Sequence, residues 1–547
     1  MRWFHAARPG PGPAVPAAGP GTFYRLLRRR IFHNFPFDNA MRRLQTGLMR
    51  DTFPAYSKLL KRSREIALLD STNSLLSWDK ETYMPAKALD HRAGQLAYFS
   101  GQGHRLFTAK KVGEWIAECE QHGFAPGSDE AVNVREWRRS YDRKTKIPAR
   151  LVEKFQRLCA HARAAWGEAR KDSKFKLFRP QLQKLMDLHL HFSELWGYTG
   201  SPYNAHIDEY EPGARAEDLR ELFARLRPEI VGILGPAMER SAATPRSILN
   251  GYYPVAAQQA FNREVAEALG FDFDAGRIDT TTHPFCQGLG PNDCRLTTRY
   301  NETDFTQSLY GIMHEAGHGL YDQGLPPEHY GTPLGSAVSL GIHESQSRLW
   351  ENHVGRSEVF WQHWHPIACK HFPDLNRLTP AQVAAAVNHV KPSFIRVEAD
   401  QVTYDLHIIL RFEIEMKLIE RQLAVADVPA YWNEQFEKSF GLKVAKDADG
   451  CLQDVHWSIG TMGYFPTYSL GNLNAAQLMR RAQTDCPALE TELARGEYGT
   501  LLGWLREKVH RQGMRHHPQE LMRTVTGEGT KTDAHLAALR KKYGVTA

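Results

Sequence analysis

Tyr310-Gly311-Ile312-Met313-His314-Glu315-Ala316-Gly317-His318-Gly319-Leu320-Tyr321-Asp322 sets two histidines four residues apart, with a glutamate directly after the first. On a helix turning about 100° per residue, His314 and His318 lie roughly 40° apart on one face, so both imidazoles reach one metal ion while Glu315 points beside it. Such a His-Glu-x-x-His helix is the pattern of a zinc peptidase: two ligands and a general base. With 25 histidines in 547 residues, however, such a string also arises by chance, and a third ligand is required.

Catalytic zinc takes three protein ligands and keeps a fourth position for water. Beyond His318 the chain passes through 323–333, a loop with three prolines and two glycines, and helical character resumes at Leu334. The second helix contains Gly341-Ile342-His343-Glu344-Ser345-Gln346-Ser347-Arg348-Leu349-Trp350-Glu351. A helix, a turn and a returning helix bring Glu344, 26 residues after His318, back against the first helix. That spacing suits a zincin with a glutamate ligand.

Outward from this core the pattern stays helical from about residue 52, as in 149–171 and 175–198, where apolar residues recur at three- and four-residue spacing. Further helices are expected near 216–240, 257–269, 304–322, 335–353, 380–390, 395–422, 429–440, 475–482, 487–512 and 533–543. No strand–helix alternation and no internal repeat is visible. The one β-like region pairs the Thr-rich runs 279–285 and 294–300 across a Gly- and Pro-containing turn, and it predicts a small sheet bordering the metal helix.

Hydrophobic content of 42% and charged content of 24% are those of a globular protein. No apolar run approaches the 18 or so residues of a membrane helix. The formal charge of +7 is concentrated in residues 1–50, where nine arginines against Asp38 alone give +8, leaving the other 497 residues at −1. A near-neutral body argues against nucleic-acid binding. Residues 1–50, rich in Pro, Gly and Arg, are expected to be a disordered basic extension ahead of a single helical domain spanning 51–547, with Met41 or Met49 as alternative starts. An Arg-rich targeting leader and a nucleic-acid or membrane-surface arm are the competing readings of that stretch, although it lacks serine and an apolar core for export. Seven scattered cysteines without a Cys-x-x-Cys pair point to a reduced, cytoplasmic setting. Cys286 and Cys294 flank the expected sheet, but their seven-residue gap and lack of partner ligands argue against a second metal site, and they read as structural thiols; Trp361 and Trp364 read as core or interface.

Several strings together resemble the carboxypeptidase Taq family of metallocarboxypeptidases. They are the stretch 314–324, His343-Glu344-Ser345-Gln346 with its continuation to Asn352, His283-Pro284-Phe285, Asp293-Cys294-Arg295-Leu296-Thr297, Ile395-Arg396-Val397-Glu398-Ala399-Asp400, Val402-Thr403-Tyr404-Asp405-Leu406-His407 and Gln453-Asp454-Val455-His456-Trp457-Ser458. Upstream, Leu76-Ser77-Trp78-Asp79-Lys80-Glu81-Thr82-Tyr83-Met84-Pro85 resembles that family's amino-terminal signature. Only residues 1–50 fall outside the likeness.

The resemblance implies a mostly all-α fold, two helical lobes around a deep cleft with a small sheet beside the zinc helix, similar to angiotensin-converting enzyme. It implies release of single C-terminal residues from short peptides with broad specificity, and a homodimer, while the charge distribution and the lack of long apolar runs imply neither a nucleic-acid nor a membrane partner. His314, His318 and Glu344 are then expected to hold zinc, with cobalt as a possible substitute, and Glu315 to act as general base. Asp322 and Glu351 are equal candidates for orienting a ligating imidazole. A free peptide carboxylate calls for arginine's planar fork, and Arg295 and Arg396 both lie inside the family's strings. His407 is the expected oxyanion donor by likeness to the angiotensin-converting-enzyme fold, ahead of Tyr404, His456 and Tyr464; Tyr404 and His456 are also expected to contact substrate. His283 is expected either to line the substrate channel or to cap a turn.

Overall fold

The metal-motif helix, Phe305–Gly324, begins at Asp304, whose side chain accepts the Thr306 backbone N–H at 3.1 Å and so satisfies one of the donors orphaned at a helix start. It ends before Pro326 and Pro327, which cannot continue the hydrogen-bond ladder. The return helix, Leu340–Arg348, starts at Ser339, which caps the Ile342 N–H at 3.1 Å. It runs on without a break into a π-helical turn, Leu349–Gly355. One helical region expected over 335–353 is therefore two pieces, preceded by the short 3-10 turn Pro333–Gly335.

These elements come from a computed structural model that describes residues 53–546. The expected extension 1–50 lies outside the described residues. The described residues from Lys58 onward belong to one compact unit, mostly helical, with a small three-stranded sheet. Among the described residues, no helix is long and apolar enough to cross a membrane.

The sheet has the order β1 (Gly276–Thr280), β3 (Asp293–Thr298), β2 (Cys286–Gly290). β1 runs parallel to β3 with Thr280 beside Thr298, and β2 runs antiparallel to it with Gly288 opposite Cys294. The Thr-rich runs thus do not form the expected hairpin. Residues 281–285 are a connection, because Pro284 has no N–H for a ladder, and the hairpin is made instead by β2 and β3 across Pro291 and a left-handed Asn292 at φ 63°. Trp78 and Tyr83 of the upstream helix region meet this sheet: Arg295 lies 4.3 Å over the Trp78 ring, and the Tyr83 hydroxyl donates to Asp279 at 2.5 Å.

Buried apolar side chains form two clusters. One joins Ile312, Met313, Ala316 and Leu320 of the metal helix to Trp361 and Trp364, both almost fully buried with their indole N–H groups satisfied by Tyr310 and Tyr498. The other is built on the helix Tyr404–Ile419 and the segment around Trp432. The helix expected at 395–422 starts only at Tyr404, because Asp400 accepts the backbone N–H groups of Val402 and Thr403 and turns the chain there. Likewise 487–512 is broken into Leu489–Ala494 and Gly499–Lys508, whereas 475–482 belongs to the longer helix Pro466–Asp485.

Two close approaches hold the return helix. A Cβ at Gly317, inside the His-Glu-x-x-His string, would come within 2.5 Å of the Ser347 Cα, and one at Gly471 of Pro466–Asp485 within 2.4 Å of the Glu344 Cγ. Only hydrogen fits at either position, so the return helix is seated between the two others with Glu344 facing the metal helix.

Candidate active site

His314 and His318 project from one face of the metal helix with ring centroids 4.9 Å apart. Glu344 Oε2 lies 3.4 Å from His318 Nε2 and 3.7 Å from His314 Nε2. Three ligands at about 2.1 Å from a tetrahedral centre stand about 3.4 Å from each other, so these separations are those of donors sharing one ion. The structure thus brings together all three expected ligands.

The charges around the group bear on each donor differently: burial opposes a charge on His314, but Glu344 and Glu351 outweigh it and raise the ring above its ordinary range. His314 Nδ1–H donates to Glu351 Oε2 at 3.1 Å, which leaves the Nε2 lone pair turned toward Glu344. Burial pushes His318 down to about 4, with the neighbouring His343 adding to the effect, so its ring is neutral and able to ligate. Burial also opposes ionisation of Glu344, but Arg348 and then His314 outweigh it and hold the carboxyl well below its usual range. The Arg348 Nε–H donates to Glu344 Oε1 at 2.7 Å, and Arg348 Nη1 bonds Glu351 Oε2 at 3.1 Å, so one guanidinium braces a ligand and the residue that orients another. Arg356 holds the other Glu351 oxygen at 3.1 Å.

Of the two orienting candidates, Glu351 is the one in contact with an imidazole of the converging group, His314. Asp322 instead accepts His343 Nε2–H at 3.1 Å, and the His343 ring is stacked on His318 at 4.5 Å. Glu315, beside His314, is 7% exposed and carries a carboxyl raised to about 7, chiefly by burial.

Arg396 donates through Nε and Nη2 to Asp454 Oδ1 at 3.1 and 2.9 Å, while Nη1 donates to the Tyr404 hydroxyl at 3.1 Å. Arg411 holds the second Asp454 oxygen at 2.6 Å. Arg348 lies 4.6 Å over the Tyr404 ring, so Tyr404 links the Arg396 cluster to the ligand set. Tyr464 sits at the same edge: its ring is 5.6 Å from His456 and 5.3 Å from Tyr468, and Glu344 is the leading charge acting on its hydroxyl. His456 packs 4.5 Å from Phe465, and burial lowers it to about 4.

Three expected residues stand apart from this group. Arg295 is held by both Asp293 oxygens at 3.0 Å and covered by Trp78. His283 is exposed in the connection between β1 and β2. His407, expected as the oxyanion donor, is 0% exposed, with its ring 4.6 Å from Phe440 and 5.7 Å from Phe436. Burial with Arg411 drives it far below its ordinary range, which leaves a neutral imidazole in an aromatic core rather than a donor facing the ligands. Sequence reasoning missed Arg348, Asp454 and Arg411. Arg348 had a legible signal, since it lies four residues after Glu344 and hence on the same helix face.

Fold and site together define a helical protein with a candidate metal-binding set of two imidazoles and one carboxylate. Comparison with known proteins is specific: residues 58–543 match the family model described as carboxypeptidase Taq (M32) metallopeptidase. The chain belongs to that family and is a metallocarboxypeptidase. It is similar to thermostable carboxypeptidase 1 of Thermus thermophilus, 43% identical over 500 residues that cover 89% of this chain and 98% of that protein. It is also 36% identical to carboxypeptidase 1 of Bacillus subtilis over 486 residues, covering 89% and 96% of the two chains. Among solved structures, the M32 carboxypeptidase from Deinococcus radiodurans R1 matches with a TM-score of 0.87 at 38% identity, over 90% of this chain and 99% of that one.

Proposed function

We propose that this chain releases single residues, with broad specificity, from the carboxyl ends of short peptides, with zinc held by His314, His318 and Glu344. The observation that carries the reading is the 3.4 and 3.7 Å convergence of both imidazoles on one Glu344 oxygen. Zinc so held lowers the pKa of a water toward about 7 and polarises a scissile carbonyl; the same donors accept cobalt. Glu315, a buried acid able to exchange a proton near neutrality, takes the proton of the attacking water and returns it to the departing amine. Glu351 keeps His314 in the ligating tautomer.

Arg396 is the proposed reader of the peptide carboxylate. Its bonds to Asp454 and Tyr404 use three of its five N–H groups and fix the guanidinium plane near the ligand set. Arg295 is given the lesser role of anchoring Trp78 to the sheet, and His283 that of a rim contact. Tyr464, with Tyr404 and His456 beside it, replaces His407 as the oxyanion donor.

Seven free thiols favour a reduced, cytoplasmic compartment, whereas the homodimer rests on the family likeness alone and is tested by sedimentation. Because the family match begins at residue 58, truncation at Met41 is expected to leave activity intact. Metal analysis combined with a mass spectrum of the products from an N-blocked tripeptide tests the whole reading. One zinc per chain and loss of one terminal residue support it; release of dipeptides or internal cleavage replaces it with an oligopeptidase.

A further inference from the structure

Toward the C-terminal end of the metal helix, where it meets the sheet, the fold assembles a second group of donors. Cys286 on β2 and Cys294 on β3 lie diagonally across the antiparallel pair, because Cys294 faces Gly288, and their Sγ atoms are 3.6 Å apart. Asp322, at the end of the metal helix, offers a carboxylate oxygen, and the three donor atoms lie within 4.8 Å of one another. Two sulfurs on a tetrahedral ion at about 2.3 Å stand about 3.8 Å apart, so this pair needs almost no movement to share one.

The surroundings favour a cation. Asp322 Oδ1 is bound by His343, while Oδ2 is the oxygen facing β2: a Cβ on Gly288 would sit 2.6 Å from it, so a glycine there leaves the carboxylate room beside the thiols. Cys294 and Asp322 also line a cavity of about 460 Å³, with four aspartates (70, 272, 293 and 322) against a single arginine, Arg506. That acidic cavity reaches Cys294 and Asp322 and does not include His314, His318 or Glu344.

We infer that Cys286, Cys294 and Asp322 form a second metal site, separate from the His314, His318 and Glu344 set, suited to a soft d10 ion such as Zn²⁺ or Cd²⁺. Two thiolates select such ions over calcium, magnesium or manganese. Binding replaces two S–H bonds by two metal–sulfur bonds, releases two protons to solvent, and leaves the fourth position to water. The ion joins β2, β3 and the metal helix at one point, so it acts as a clamp on the sheet rather than a second catalyst.

The test uses the zinc-loaded enzyme, reduced and then freed of reductant, titrated with Cd²⁺. Expected are one further ion per chain, an ultraviolet sulfur-to-cadmium charge-transfer band, and a higher melting temperature. Cys286→Ser/Cys294→Ser is expected to lose the band and the thermal gain while retaining basal peptidase activity. Asp322→Asn, which keeps both thiols and covers the case of a misfolded double variant, is expected to weaken Cd²⁺ uptake about tenfold or more. Absence of the band in the native enzyme, its persistence in the double-serine variant, or unchanged uptake in Asp322→Asn overturns the site. A Cys286–Cys294 disulfide found by peptide mapping of the freshly purified enzyme also overturns it, since the pair is then a cross-link.

Discussion

The two donor groups set along the metal helix differ in readiness. His314 is braced by Glu351 and Glu344 by Arg348, while His318 is held only by burial and the stacked His343, and both imidazoles turn Nε2 toward the ionised Glu344. The thiols of Cys286 and Cys294 share a hydrogen-bonded contact, and that bond, followed by burial, pushes the Cys286 thiol far above its ordinary range. Preorganisation therefore distinguishes the His314, His318 and Glu344 group: Arg348 and then His314 hold Glu344 ionised and burial holds His318 neutral, although the carboxylates around His314 raise that ring above its ordinary range. His343 connects the groups, bonded to Asp322 and stacked on His318.

The largest effect that sharpens this contrast is expected from Glu315→Gln, which removes the base without touching a ligand: kcat falls about 10²–10⁴-fold with zinc content unchanged. Steady-state kinetics beside metal analysis checks it, and activity above a few per cent with zinc bound removes Glu315 from its role. Next, Glu351→Gln takes away the carboxylate that orients His314, so zinc affinity falls about 10–100-fold in competition with a chelator. Asp322→Asn leaves catalytic zinc affinity close to native by the same assay, because Asp322 holds His343 rather than a ligand. A comparable loss in both variants erases the distinction between the two groups.

The thiol side is tested by alkylation. A raised pKa means less thiolate at a given pH, so at pH 8 Cys286 reacts with iodoacetamide at least about tenfold more slowly than an unperturbed thiol. Fast labelling located by peptide mapping contradicts this. The smallest effect is structural: Gly317→Ala pushes the metal helix off the return helix backbone and costs about 1–3 kcal/mol in denaturant unfolding, with zinc affinity falling alongside.

The convergence of His314, His318 and Glu344 was legible in the sequence because the three lie on two neighbouring helices, where spacing determines which residues face each other. The glycine of the His-Glu-x-x-His string carried a second message, close helix contact, that becomes readable only once Ser347 is seen against it. Strand register was not legible: of the Thr-rich run 279–285 only Asp279 and Thr280 join the sheet, as the end of β1 lying parallel to β3, and the antiparallel partner of β3 is β2. The pairing of Cys286 with Cys294 depends on that same register. His407 illustrates the limit from the other direction, since its fate was decided by Phe436 and Phe440, about thirty residues further on, and local sequence says nothing about which ring will cover it. The choice between Asp322 and Glu351 likewise depended on where the return helix and its π-helical continuation set each carboxylate.

The most direct measurement compares one N-blocked peptide with a free and with an amidated carboxyl end, at equal concentration on zinc-loaded enzyme. The account predicts release of one terminal residue from the free acid and, with the charge opposite Arg396 removed, a kcat/KM for the amide lower by about 100-fold or more. Equal cleavage of the two peptides, or cutting away from the end, contradicts it.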